Sequence, residues 1–232
     1  MSELKDNLSD NLRDNLSEVE SRVLKACERA GRDRKDVTLI AVSKTKPSSM
    51  IEEFYSLGVR DFGENKVQEM CDKMEILPKD IRWHMIGHLQ TNKVKYIVGK
   101  VYMIHSVDTL HLAEAISKEA VKKSVNVRIT VEINVGEEAS KFGEGLDKAS
   151  DLVNSIRLLP NLSVVGLMCI APFVEDAELN REHFKNLKNM ASSLGLSELS
   201  MGMSGDFEVA IEEGSTFVRV GTSLFGKRDY AV

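Results

Sequence analysis

Eight short apolar runs, nearly every one followed by a stretch with helical spacing, constrain this chain more than any other feature. The runs lie at 38–43, 61–62, 82–86, 101–104, 128–133, 163–168, 198–200 and 217–220, and helical patterns fill 49–56, 65–74, 92–98, 109–122, 145–158, 177–194 and 206–213. Parallel strands cannot be joined by tight hairpins and need crossover connections, usually helices. Such an alternation therefore predicts a parallel sheet with helices outside it. Eight strands in about two hundred residues fit a closed (β/α)8 TIM barrel better than an open doubly wound sheet. No Gly-x-Gly-x-x-Gly fingerprint follows an early strand, so the dinucleotide-binding alternative lacks its phosphate turn.

Ahead of the first run, Leu4, Leu8, Leu12 and Leu16 recur every four positions within repeated Asp-Asn-Leu triplets, and Val19, Val23, Leu24 and Cys27 continue the apolar face. The pattern predicts an amphipathic helix over 1–31 that stops at Gly31 and packs on the barrel. No Pro/Gly/Ser-rich linker divides the chain, so 1–232 is expected to form one domain, and 42% hydrophobic content is enough to build its core.

Charge is nearly balanced, with 31 basic against 36 acidic residues and a net of -5. No basic block stands out, which argues against nucleic acid or an anionic membrane surface as partner. Cys27, Cys71 and Cys169 are odd in number, far apart and without C-x-x-C spacing, so a disulfide framework and a zinc site are not indicated. No apolar run approaches the roughly 20 residues of a membrane span, and the polar N-terminus lacks a signal-peptide core. A monomer in a reducing cytoplasm, with a small molecule or a protein as partner, is the expectation.

In such a barrel the chemistry sits at the carboxyl ends of the strands. The first run closes in Ala41-Val42-Ser43-Lys44-Thr45-Lys46-Pro47, which sets Lys44 at the end of a buried strand. A lysine there either snorkels into solvent or, with its charge disfavoured by burial, serves as an amine that condenses with an aldehyde or ketone. The second run leads into Gly63-Glu64-Asn65 and the sixth into Met168-Cys169. The seventh is followed by Met203-Ser204-Gly205-Asp206, and the eighth carries Arg219 and ends in Gly221-Thr222-Ser223. Glycine beside a hydroxyl residue at a strand-to-helix turn lets backbone N–H groups converge on an anion, and the last two strands are where barrels commonly bind phosphate. Asp206 would repel that phosphate unless it faces away.

A lysine amine beside a phosphate cradle describes either an aldolase acting on a sugar phosphate or a pyridoxal 5′-phosphate site. Arg219 bears on the choice. It alternates with Phe217 and Gly221, and is either paired with a buried acid or a donor aimed at a pyridine nitrogen.

Taken together, Ala-Val-Ser-Lys-Thr-Lys-Pro at 41–47, Phe-Gly-Glu-Asn at 62–65, Trp-His-Met-Ile-Gly-His-Leu-Gln-Thr-Asn-Lys at 83–93, Ser-Val-Asp at 106–108, Gly-Leu-Met at 166–168, Leu-Ser-Met-Gly-Met-Ser at 199–204 and Arg-Val-Gly-Thr followed by Leu-Phe-Gly at 219–226 closely resemble the pyridoxal-phosphate homeostasis protein family, single-domain relatives of the alanine racemase barrel. The resemblance implies an internal aldimine between Lys44 and pyridoxal phosphate, the phosphate held by Ser204, Gly221 and Thr222, and the pyridine nitrogen facing Arg219; Gly205, a departure from the family pattern that loosens the turn before Asp206, is counted with the cofactor-binding residues. It places Asn65 and Met168 near the ring. An arginine cannot give its proton to the ring, so the nitrogen stays unprotonated and carbanion chemistry is poorly supported. Racemases of this kind draw a second acid/base tyrosine from an additional domain. With the sequence running to Val232, no such domain is expected, and none of Tyr55, Tyr96, Tyr102 and Tyr230 can be placed over the ring.

The expectation is a carrier for vitamin B6 homeostasis that sequesters and delivers the cofactor, with apo-enzymes as candidate recipients. An amino-acid racemase on the same cofactor is the rival. Cys169, where a threonine is common, reads as apolar filler. His84 and His88, either side of Ile86, read as a polar rim or partner-facing pair, since a third metal ligand is missing. Lys46, Lys93 and Lys141 are the competing amines.

Overall fold

The computed structural model describes residues 2–135 and 146–226, with side chains at 9–135 and 148–226. The eight strands are β1 (Thr38–Val42), β2 (Asp61–Glu64), β3 (Arg82–Met85), β4 (Met103–Val107), β5 (Val127–Ile133), β6 (Leu162–Cys169), β7 (Glu198–Met203) and β8 (Phe217–Val220). They pair in parallel and in chain order, and β8 closes on β1. Around them run α1 (Ser2–Arg29), α2 (Ser48–Ser56), α3 (Val67–Ile76), α4 (Val94–Ile97), α5 (Leu110–Lys123), α6 (Leu146–Arg157), α7 (Arg181–Ser193), α8 (Phe207–Glu212) and α9 (Thr222–Phe225). The (β/α)8 barrel predicted from the alternation is the fold. No helix among the described residues is long and apolar enough to cross a membrane.

Two strands differ usefully from the sequence pattern. The fourth was expected over 101–104 but runs Met103–Val107, carrying the wholly buried His105 and Ser106. Those polar residues masked the strand because the barrel interior here is itself polar. The seventh extends beyond Ser200 to Met203, with a register irregularity against β8 between Ser200 and Met203.

Helix-facing residues form the main core, including Leu39, Ala41, Phe62, Trp83, Leu167, Cys169 and Val218. Ile40, Met103 and Phe217 form a separate cluster, as the alternation of the strands requires for residues inside the barrel.

α1 buries Leu12, Val19, Val23, Ala26 and Cys27, each full burial of a Val or Leu being worth about 1.5–3 kcal/mol. Leu24, expected on this face, is 45% exposed. A strict repeat of four drifts around a helix of 3.6 residues per turn, and alternate steps of three and four keep the buried stripe in line. Arg22 pairs with Glu208 of α8 at 2.8 Å, and Asn15 Nδ2 donates to the Leu224 carbonyl of α9 at 2.9 Å. Gly31, in the left-handed region at φ 63°, follows the helix end.

Candidate functional site

At the carboxyl ends of the strands a cavity of about 420 Å³ opens, within the ordinary range for small-molecule sites. Lys44, Asn65, Ser204, Gly205, Arg219, Gly221 and Thr222 all line it, with Val42 and Ile86 as its apolar floor. Met168 is not among the lining residues. Its neighbours Leu167 and Cys169 sit in the helix-side core, so alternation turns Met168 toward the barrel interior, where it is wholly buried.

Lys44 lies just past β1 in a tight turn, and the strand does not continue through to Lys46 as one pleat. The turn is held from both sides. Buried Lys73 of α3 donates from Nζ to the Ser43 carbonyl at 2.8 Å and to Glu64 Oε1 and Glu69 Oε1 at 2.7 Å each. Ser43 Oγ donates to Glu64 Oε1 at 2.7 Å, and the Thr45 N–H donates to Glu69 Oε1 at 2.6 Å. Thr45 sits at φ 63°, a strained conformation for a β-branched residue that persists only where neighbours over-determine it. Glu64 stood out in the sequence only as part of the Gly63-Glu64-Asn65 strand end, and Lys73 and Glu69 were not legible as site residues, because nothing in α3 announces that its buried face is ionic.

Asn65 precedes α3, and a side chain at Gly87 would meet Asn65 backbone atoms at 2.6 Å, so glycine there lets the two turns close on each other. The Asn65 Oδ1 is buried in the cavity wall with no hydrogen-bond partner among the described residues. Asn180, another lining residue, likewise has a buried Oδ1 without a hydrogen-bond partner among the described residues, and orphaned amide oxygens on a cavity wall point to a polar ligand.

On the far wall the N–H groups of Gly221 and Ser223 both point at Ser204 Oγ, at 3.3 and 3.5 Å. Asp206 does not face the cavity's anion position with an unsatisfied carboxylate. Its Oδ1 accepts from the Met203 N–H at 2.7 Å and its Oδ2 from Asn180 Nδ2 at 2.9 Å. Gly202 has φ 91°, and a Cβ there would meet Ala210 Cβ at 2.6 Å, so the turn into α8 requires glycine.

Lys46 also lines the cavity and donates from Nζ to the Phe225 carbonyl at 3.0 Å, on the last turn of α9. Lys141 and Tyr230 lie outside the described residues. The other tyrosines sit elsewhere: Tyr55 on Arg60 and Asp80, Tyr96 beside Lys93 and Lys95, Tyr102 beside Arg82 and Arg128.

Arg219 is buried. Its Nη1 donates to Ser200 Oγ and its Nη2 to the Cys169 carbonyl, both at 2.7 Å. Neither of these two bonds goes to an acid. The pairing expected of His84 and His88 as a polar rim is corrected: β3 ends at Met85, His84 is wholly buried inside the barrel, and only His88, 3.3 Å from Asp108, lies in the loop above. Among the described residues no group of three or more His, Cys, Asp or Glu is placed to hold a metal ion.

Glu132 of β5, not singled out by its sequence context, is 6% exposed, and burial pushes its carboxyl up to about 7 against the opposing pull of Arg219. Its flanking Val131 and Ile133 face the helices, so it points inward. Because the folded value is raised above the ordinary 4.5, the neutral carboxyl favours the fold below that value, and this advantage is lost as pH rises through about 7. Glu132→Gln is expected to match the wild type near pH 4.5 and to exceed it by up to about 3 kcal/mol above pH 7. Urea unfolding at both pH values checks this, and an equal effect at both would contradict the burial argument.

The matches to known proteins agree with this geometry. The model of the alanine racemase N-terminal domain family matches residues 10–229. The pyridoxal phosphate homeostasis protein of Aquifex aeolicus is 48% identical over 221 residues, covering 92% of this chain and 97% of that protein, and that of Escherichia coli K12 is 38% identical over 226 residues. Among solved structures, PipY of Synechococcus elongatus with PLP bound is 33% identical with a TM-score of 0.81, covering 93% of this chain and all of that one. Alanine racemase of Clostridium difficile, at 13% identity and a TM-score of 0.75 over 58% of its chain, shares the fold. With its barrel, its strand-end cavity and relatives this similar over nearly their whole length, the chain belongs to the pyridoxal phosphate homeostasis protein family.

Proposed function

We propose that this protein binds pyridoxal 5′-phosphate in the strand-end cavity, with Lys44 as its covalent tether, and serves to sequester and deliver the cofactor in the cytoplasm. The observation that carries the reading is the meeting of Lys44, the orphaned Asn65 amide, Arg219 and the Ser204–Gly221–Ser223 cradle on one cavity of suitable size. The presence of PLP in PipY, a relative matched over its whole length and sharing the fold, supports it.

When bound, the cofactor would supply an aldehyde within reach of the Lys44 amine, the group that would tether it. The residues of this chain account for the rest. The Gly221 and Ser223 N–H groups and the Ser204 hydroxyl offer donors to a phosphate, and Asp206 is held out of the way by Met203 and Asn180. Arg219, anchored on Ser200 and the Cys169 carbonyl, presents a permanent cation that holds its own protons and leaves a pyridine nitrogen unprotonated. That disfavours amino-acid chemistry on the ring. Among the described residues no tyrosine lines the cavity to act as a second acid/base.

Borohydride reduction of the protein loaded with pyridoxal phosphate, followed by peptide mass spectrometry, tests the tether. A pyridoxyl adduct on Lys44 is expected. An adduct mainly on Lys46 or Lys141, or racemisation of amino acids within the ordinary enzymic range of about 1–10³ s⁻¹, would remove the tether or the carrier role respectively.

A further inference from the structure

Five side chains form one unbroken hydrogen-bonded chain through the barrel interior. Arg219 Nη1 meets Ser200 Oγ at 2.7 Å, Ser200 Oγ meets His105 Nδ1 at 2.8 Å, His105 Nε2 meets His84 Nδ1 at 2.9 Å, and His84 Nε2 meets Asp61 Oδ1 at 3.0 Å. Asp61 is in turn held by Arg82 at the opposite end of the barrel, at 2.7 and 2.5 Å. Ser200, His84 and His105 are wholly buried.

The direction of every bond follows from the donor inventory. Burial favours a neutral Asp61 carboxyl, but bonds from Arg82 and His84 outweigh it and keep the group an acceptor. His84 Nε2 therefore carries a proton. Burial drives both histidines toward the neutral form, against Asp61 for His84 and assisted by His84, Arg219 and Arg128 for His105. A neutral His84 has a bare Nδ1, so His105 donates from Nε2 and its own Nδ1 is bare. Ser200 must donate its proton there, which leaves its lone pair for Arg219. All protons in the chain point toward Asp61 and all lone pairs toward Arg219. The aligned dipoles place their negative ends on a guanidinium whose charged form burial otherwise disfavours.

We propose that His84 and His105, which do not line the cavity, are positioning residues: a one-way hydrogen-bond relay from Asp61 that fixes the Arg219 guanidinium in place toward the bound cofactor. This rests on the reading that Arg219 faces the pyridine nitrogen, while the relay itself exists with or without cofactor. The groups around it are Arg82 and Asp61 at its foot, Arg128 beside both histidines, Arg219 at its head with the inward-facing Glu132 and the more distant Asp206 acting on its charge, and the rings of Tyr102 and Phe217.

The test uses the full chain and three variants. His105→Gln can donate to His84 and accept from Ser200 in the same direction, His105→Leu can do neither, and Ser200→Ala breaks the chain at its head should His105→Leu fail to fold. In wild type without cofactor, ¹⁵N imidazole shifts are expected to show both histidines neutral and Nε2-protonated between about pH 5.5 and 8. With pyridoxal phosphate added, His105→Gln should keep the wild-type visible band and a dissociation constant within about twofold. His105→Leu and Ser200→Ala should shift the band and bind on the order of 10-fold more weakly. Protonated or Nδ1-protonated histidines, or a folded His105→Leu with wild-type band and affinity, would overturn the relay; lowered stability alone would mean only packing. If the wild type itself shows no visible band, the cofactor reading fails, and the tautomers alone then decide whether the relay stands.

Discussion

Replacing Lys44 with alanine is expected to abolish the visible band that pyridoxal phosphate gives on this protein and to weaken binding by roughly 100-fold, about 2.7 kcal/mol. The phosphate cradle and Arg219 are untouched by the substitution, so residual binding should persist and should compete with inorganic phosphate. Because the Lys44 turn is exposed to the cavity and not part of the core, the variant should melt close to the wild type in the absence of cofactor. A titration followed by absorbance and by calorimetry separates the two terms. A variant that retained the band would transfer the tether to another amine, with Lys46 the nearest competitor on the cavity wall.

The second large effect is expected beneath that turn. Lys73→Met removes the cation that holds the Ser43 carbonyl and the wholly buried Glu64. Breaking a buried ionic cluster by deleting one partner typically costs about 3–5 kcal/mol, because the remaining charge is uncompensated. Burial already raises the Glu64 carboxyl against the pull of Lys73, so without the lysine Glu64 is expected to take up a proton in the fold. The folded state then binds a proton that the unfolded state releases, and stability falls as pH rises above the ordinary carboxylate range. The loss at pH 8 should therefore exceed the loss at pH 5, and cofactor affinity should drop as Thr45 relaxes from its left-handed conformation. Chemical denaturation of Lys73→Met at the two pH values is the measurement, and a loss under about 1 kcal/mol at both would show that the cluster does not brace the turn.

Much of the site was legible because a barrel of this type converts chain order into place. Lys44, Asn65, Ser204, Gly221 and Thr222 are each recognisable as a polar or glycine residue just past an apolar run, and the fold brings all such positions to one end. Arg219 could be assigned to the interior from its alternation with Phe217 and Gly221, but its anchors could not. Ser200 and the Cys169 carbonyl come from two other strands, and their height relative to Arg219 depends on the irregular register between β7 and β8. The fourth strand shows the converse problem. His105 and Ser106 break the apolar pattern that marks a strand, and they are accommodated because His84, Ser200 and the Gly87 carbonyl receive their polar atoms.

What the sequence by itself determined is therefore the periodic part of the structure: parallel strands, helical crossovers, a closed barrel and the identity of the residues at its carboxyl end. Those follow from local spacing, since the side on which a residue emerges depends only on its own strand or helix. Only the tertiary structure decided the partners: the Lys73–Glu64–Glu69 brace under Lys44, the restraint of Asp206 by Asn180, and the Asp61–His84–His105–Ser200–Arg219 chain. Each joins residues on different elements, and a hydrogen bond forms or fails within a few tenths of an ångström. That height is set by strand register, bulges and barrel closure, which belong to the whole molecule and to no single segment of it.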